Sequence, residues 1–230
     1  MTDRYTGEGY LQHNPTWHVE DSPWKARQIY TMLARHRLEP QSVCEIGCGA
    51  GEILGVLYGL LPANVTFHGY DISPHAVELA APRRRPGLEF HHADLLDSSE
   101  HFDLVLTIDV IEHVEDVFGF LRRLRPRGTY HIFHIPLDMS VSAVLRGTPL
   151  NWARENLGHV HYFSLETALA ILRDTGYSVV DHFHTAGVLE LGRPTPRQRL
   201  IRIPSLLAWR LSPALTAKIL SGFSVLVLAR

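Results

Sequence analysis

The 230-residue chain is poor in several things that would point elsewhere. Two cysteines, Cys44 in a predicted strand and Cys48 in a glycine-rich turn, make neither a disulfide framework nor a zinc-ligand set. No charge excess exists, since 22 Lys and Arg against 24 Asp and Glu leave a formal net charge of -2. That balance gives no global attraction to nucleic acid, so no nucleic-acid partner is expected and any polyanion contact must be local. The longest apolar runs, such as Val225 to Ala229, fall far short of the roughly 20 residues a membrane-spanning helix needs. Met1 to Tyr10 carries Asp3, Arg4 and Glu8 in place of a basic end followed by an apolar run, so no secretory signal is read and a cytoplasmic location is expected. Repeats and low-complexity tracts are likewise missing.

What is present is a 45% hydrophobic chain, long enough for one well-buried core, and a single domain spanning 1–230 is expected. Residues 1–41 read as an irregular aromatic arm followed by a helix that starts at Ser22-Pro23. In the arm, Tyr10, His13, Trp17 and His18 are candidates for a lid over a ligand, or for aromatics that pack the arm down. From Val43 onward short apolar runs alternate with helical patterns, the signature of βαβ units around a parallel sheet. The spacing predicts strands at 43–46, 65–70, 88–92, 102–108 and 129–135, and helices at 52–61, 74–81 and 115–124. A late part, 139–183, holds a helix over 165–174 capped by Ser164 and a strand at 177–183. A helical insertion over 184–222 precedes the last strand at 223–228.

Three signals converge on a nucleoside. In Glu45-Ile46-Gly47-Cys48-Gly49-Ala50-Gly51 a strand meets a helix through three alternate glycines, which let a ligand lie against bare backbone at the carboxyl end of the first strand. A dinucleotide fingerprint wants a glycine where Glu52 stands, which disfavours hydride transfer with NAD. Asp71 ends the second strand as an acceptor for ribose hydroxyls, and Asp94 ends the third as an acceptor for an adenine amine.

These residues resemble the class I S-adenosylmethionine-dependent methyltransferases. Glu45 to Gly51 resembles that family's first motif, Asp71 its ribose-binding acid, Ala93-Asp94-Leu95 its adenine-contacting motif and Leu124-Arg125-Pro126-Arg127-Gly128 its fifth-strand turn, with a departure at Arg127. The resemblance implies a Rossmann-like, doubly wound seven-stranded α/β sheet whose last strand runs antiparallel between the fifth and sixth. It also implies S-adenosylmethionine as cofactor, with Glu45, Gly47, Cys48, Gly49, Asp71, Ile72, Asp94, Leu95 and Asp109 around it.

For the chemistry, the end of the fourth strand delivers Asp109, Glu112 and His113, which share one face if a helix begins near Asp109. A second cluster holds His159 and His161. Three readings of these groups stay open. His113 or His161 accepts a proton from the acceptor; or Asp109, Glu112, His113 and a distal His159 or His161 hold a metal, an arrangement that resembles small-RNA 2′-O-methyltransferases and, in its Glu-His pair, ubiquinone-pathway O-methyltransferases; or Glu112 and His113 simply wall the pocket. The expectation adopted is His113 and His161 as catalytic residues, with no metal. His134, before Ile135-Pro136, is a further candidate for the substrate side, whereas His68 and His131 read as core imidazoles.

A small-molecule acceptor methylated on oxygen, before nitrogen or carbon, is therefore expected. The Arg and apolar residues of 194–221 fit either recognition of an anionic, partly apolar acceptor or an ordinary amphipathic cap with solvated arginines, and peripheral membrane contact through the insertion stays open. Two alternatives are a noncatalytic S-adenosylmethionine-binding subunit and a nucleotide-dependent oxidoreductase. The sequence leaves the oligomeric state open.

Overall fold

The computed structural model describes residues 19–191 and 196–230, and the side chains of 196–201 lie outside that description. The lid residues Tyr10, His13, Trp17 and His18 also fall outside the described residues. The first helix, α1 (Ser22–His36), has Pro23 in its first turn and buries Ala26, Ile29, Met32 and Leu33 along one face. Its last turn closes through Arg37, held left-handed at φ 52°.

Five strands and three helices follow: β1 (Ser42–Ile46), α2 (Glu52–Leu60), β2 (Thr66–Asp71), α3 (Pro74–Ala80), β3 (Leu88–His92), β4 (Phe102–Ile108), α4 (Val117–Leu124) and β5 (Gly128–Pro136). All five strands are parallel, and β1 and β4 are buried almost throughout, as sheets covered on both faces require. Two apolar clusters, one on each face of the sheet, form the core.

Beyond β5 come α5 (Val141–Arg146), α6 (Thr148–Trp152), α7 (Leu165–Asp174), β6 (Val179–Thr185), α8 (Gly187–Glu190), α9 (Pro196–Leu211), α10 (Pro213–Ile219) and β7 (Ser224–Ala229). The sheet order is β3-β2-β1-β4-β5-β7-β6, with β7 antiparallel to both neighbours. The seven-stranded Rossmann-like arrangement is the one the resemblance implies. Ser164 caps α7 in a capping box with Thr167.

Two expectations need correction. The strand expected at 177–183 runs two residues later, because Tyr177 is spent in the core, donating its hydroxyl to the Leu121 carbonyl, and Ser178 pairs backbone with Arg230 before the ladder begins. No helix begins at Asp109 either. That residue turns left-handed at φ 54° directly after β4, and a single tight turn over Ile111–His113 follows, so Asp109 leaves the face on which Glu112 and His113 sit.

Candidate active site

One cavity of about 1310 Å³ runs along the carboxyl ends of β1, β2, β4 and β5 and under α5, α8 and α9. Its position follows from the strand order, which reverses direction between β1 and β4, where open α/β sheets part to admit a ligand.

The glycine turn floors one end. Gly47, Gly49 and Gly51 all have φ between 52° and 75°, which a side chain would strain. A Cβ at Gly51 would lie 2.3 Å from the Phe90 ring, so Phe90 packs directly against the turn and leaves no room for a side chain there. Asp71 sits beside it at 7% exposure, accepting the Gly49 N–H at 2.9 Å and the Ser73 N–H at 2.8 Å. Those bonds aim the carboxylate and leave it lone pairs for hydroxyl donors. Burial pushes the Asp71 carboxyl up, against the downward pull of these N–H groups.

Glu45 is buried behind the turn, its Oε2 has no partner, and burial holds its carboxyl well above the usual range. Ile72 and Asp94 also line the cavity; Asp94 caps its own turn by accepting the Leu96 N–H at 2.9 Å. Leu95 is fully buried and does not line the cavity, so it offers a ligand nothing beyond its backbone. Cys48 lines it with a thiol that burial keeps protonated, which argues against a nucleophile.

In the middle of the cavity Asp109 is held by two partners from distant parts of the chain. Lys25 reaches it from α1 at 2.8 Å, and His134 Nδ1 from β5 at 2.6 Å. Burial works to raise the Asp109 carboxyl, but the His134 imidazole and the Lys25 ammonium outweigh it and hold the group well below the carboxylate range. His134 Nε2 lies 2.9 Å from the Thr185 hydroxyl, which can donate to it while Nδ1–H donates to Asp109. Both ring nitrogens are thus engaged by protein, and the substrate-side role expected of His134 gives way to a supporting one. The sequence singled out neither Lys25 nor Thr185, whose placement depends on contacts across the fold.

Next along the cavity lie Glu112, His113 and His159. Their ligand atoms all fall within 4.8 Å of one another. Glu112 is fully buried, neither carboxylate oxygen has a hydrogen-bond partner, and burial followed by the nearby Asp109 charge holds its carboxyl well above the usual value. His159 Nδ1 lies 2.6 Å from Asp138 Oδ2, so the carboxylate fixes its ring with Nε2 toward other partners, and its ring meets that of His113 edge to face.

His161 stands apart. Its Nε2 contacts the Val114 carbonyl at 2.8 Å and the Glu115 carbonyl at 3.2 Å, and it does not line the cavity, so the proton-accepting role expected of it is withdrawn. His131 is the core imidazole its strand position suggests, kept neutral by burial, which lowers it to about 4. The far end of the cavity is formed by Ser142, Arg146, Leu189, Arg202, Leu220 and Phe223, a mostly apolar wall with two guanidinium groups.

Comparison with known proteins agrees with this geometry. The sequence profile of the methyltransferase-domain family matches residues 19–182. The ubiquinone biosynthesis O-methyltransferase of Methylobacterium nodulans is 37% identical over 93 residues, which cover 37% of this chain and 35% of that protein. The mitochondrial ubiquinone biosynthesis O-methyltransferase of Schizosaccharomyces pombe is 32% identical over 106 residues, covering 41% and 38%. The matched segment thus spans little more than a third of these relatives.

Among solved structures, the magnesium protoporphyrin IX methyltransferase of Synechocystis with bound S-adenosylhomocysteine superposes with a TM-score of 0.60 at 17% identity, over 90% of this chain and 83% of that one. A Haloferax volcanii methyltransferase complexed with its Trm112 activator superposes at 0.68 and 16%, over 96% and 92%. At these identities the likeness is one of fold. With the strand order, the glycine turn and Asp71 in place, and a family profile matched over most of its length, the chain belongs to the class I S-adenosylmethionine-dependent methyltransferases.

Proposed function

We propose that this chain, as one domain, transfers a methyl group from S-adenosylmethionine to an oxygen of a small, partly apolar acceptor. The observation that carries the reading is the continuous cavity of about 1310 Å³, which joins the Gly47–Asp71 end to the Glu112–His113–His159 cluster and the Arg146–Arg202 wall. A pocket for one ligand takes roughly 300–1,000 Å³, so the cavity has room for cofactor and acceptor together. The likeness to ubiquinone-pathway O-methyltransferases supports oxygen as the acceptor atom.

S-adenosylmethionine supplies an electrophilic methyl group, displaced in line. The chain's own residues align the acceptor beside it and take the hydroxyl proton. His113 lines the cavity with part of its side chain accessible, and His159, oriented by Asp138, packs against it. We assign His113 the proton, with His159 and Asp138 holding the imidazole pair in place. Replacing His113 by Ala is expected to lower turnover by roughly a hundredfold while leaving cofactor affinity nearly unchanged, because base assistance acts in the transition state. Single-turnover kinetics and calorimetry with S-adenosylhomocysteine check the two halves. No methyl transfer to any catechol or phenol acceptor, in protein that binds the cofactor, would favour the noncatalytic alternative.

A second reading is favoured by one observation, the fully buried Glu112 carboxyl, which has no hydrogen-bond partner and has His113 Nε2 3.9 Å from Oε1. Glu112, His113 and His159 are a donor set that suits a divalent cation, and Asp138 on the remote nitrogen of His159 is the carboxylate support that metal-bound imidazoles have. Such an ion would lower the pKa of an acceptor hydroxyl without a protein base. Under this reading chelation abolishes turnover and His113→Ala abolishes stoichiometric ion binding. Full activity in chelator leaves the metal-free assignment.

A further inference from the structure

The charge of this chain is strongly polarised along its length. From Leu191 to Arg230 there is no Asp or Glu and there are seven Arg or Lys residues, so the first 190 residues hold all 24 acidic side chains. The same is true of the stretch from Met139 to Arg154, where Arg146 and Arg154 occur without an acid. These two stretches meet in space. α10 packs against both α9 and α5, and the Arg146 guanidinium donates to the Ser221 hydroxyl at 2.9 Å.

Each of these three helices turns an apolar stripe outward. On α5, Val141, Val144 and Leu145 are exposed at helical spacing; on α9, Ile203, Leu207 and Leu211; on α10, Leu215 and Ile219. Leu145 is 81% and Leu211 87% exposed, far beyond what a half-packed leucine shows. Arg146, Arg210 and Lys218 stand next in the chain to Leu145, Leu211 and Ile219. Glu166, at the start of α7, pairs with Lys218 at 2.8 Å.

We propose that the cap formed by α5, α9 and α10 docks on the surface of an anionic lipid bilayer. Protruding aliphatic side chains interleaved with cations, without acids on the same helices, match the boundary where acyl chains meet negatively charged headgroups. A second copy of the chain fits less well, because a two-fold contact through this face sets Arg and Lys against Arg and Lys with no carboxylate on those helices to answer them. The cap is continuous with the cavity, since Ser142, Arg146, Arg202 and Leu220 belong to both, and a docked cap opens the acceptor end toward the lipid.

The test needs neither an acceptor nor turnover. The full chain is sedimented with vesicles of phosphatidylcholine, and with vesicles in which roughly a third of the lipid is phosphatidylglycerol, at low and at physiological salt. Binding to the anionic vesicles is expected at low salt, weakened by salt and weak on the neutral ones. The double variant Leu145→Asp, Leu211→Asp, two exposed positions outside the cavity lining, is expected to lose about tenfold or more in partitioning with an unchanged melting temperature. Failure of the chain to sediment with anionic vesicles at low salt overturns the proposal. So does equal binding by the double variant, or equal and leucine-independent binding to soluble polyglutamate, which would make charge alone the cause and an acidic protein the partner. A concentration-dependent dimer that the double substitution abolishes, in protein that ignores vesicles, names the second copy as the occupant.

Discussion

Asp109 shows how one residue ties function to stability. Its left-handed backbone is a conformation Asp tolerates better than most residues, and both carboxylate oxygens are taken, one by Lys25 and one by His134. Changing it to Asn keeps the size and the turn but leaves the Lys25 ammonium in a largely buried position without its counter-charge. Removing one partner of a buried pair costs roughly 3–5 kcal/mol, and the accessible quarter of the Asp109 side chain places this case toward the lower end. Because the folded carboxyl is held below its unfolded value, its contribution is complete above the usual carboxylate value and fades as pH falls below it toward the depressed folded value. Denaturant unfolding at pH 7 and at pH 3 should therefore show a stability gap between wild type and Asp109→Asn that narrows on acidification. A gap independent of pH would mean that the ion pair is not its source.

Among the elements, the glycine turn between β1 and α2 carries the strictest demand. Gly51 combines φ 75° with the near contact to Phe90, and its carbonyl accepts the Gly55 N–H at the start of α2. Gly51→Ala adds left-handed strain of roughly 1–2 kcal/mol to overpacking of roughly 1–3, so a loss of about 2–5 kcal/mol is expected, with cofactor affinity falling in the same variant. A melting temperature lowered by less than about 2 °C would contradict it.

This turn was legible in the sequence because its chemistry is local: three glycines, a strand before and a helix after. β1 to β5 were legible for the same reason, since each carries its own apolar period. The turn after β4 was not, because nothing in Asp109-Val110-Ile111-Glu112-His113 marks a left-handed residue, and its conformation is fixed by Lys25 and His134 arriving from elsewhere. Asp138 beside His159 and Thr185 beside His134 were hidden likewise, each lying 21 or more positions away in the chain. His113 and His159 were visible as residues, yet only the fold separates them from His161.

For the whole molecule, charge divides the cavity as it divides the chain. Asp21, Glu45, Glu52, Asp71, Asp94, Asp109, Glu112, Glu115 and Asp116 line it, against Lys25, Arg146 and Arg202. Toward the glycine turn the acids dominate, and Glu52 stands in the first turn of α2, the place where a helix dipole would otherwise receive a diphosphate. A sulfonium cofactor, which carries positive charge and no phosphate, suits that environment; a nicotinamide dinucleotide does not.

S-adenosylmethionine and its demethylated product should therefore bind with micromolar affinity and raise the melting temperature, while NAD and NADP leave it unmoved. A ligand at about 100 times its Kd stabilises by about 2.7 kcal/mol. For a chain of this length that is roughly 5–10 °C, well above the error of a thermal scan. Asp71→Ala should cut the shift, since losing hydrogen bonds from ribose hydroxyls to a carboxylate costs about 1.5–3 kcal/mol, or 10- to 150-fold in affinity. Calorimetry on folded Asp71→Ala protein separates lost affinity from lost structure. A shift of similar size with NAD would mean that the carboxylates near Glu52 do not repel a diphosphate, and the oxidoreductase alternative would then replace the sulfonium assignment.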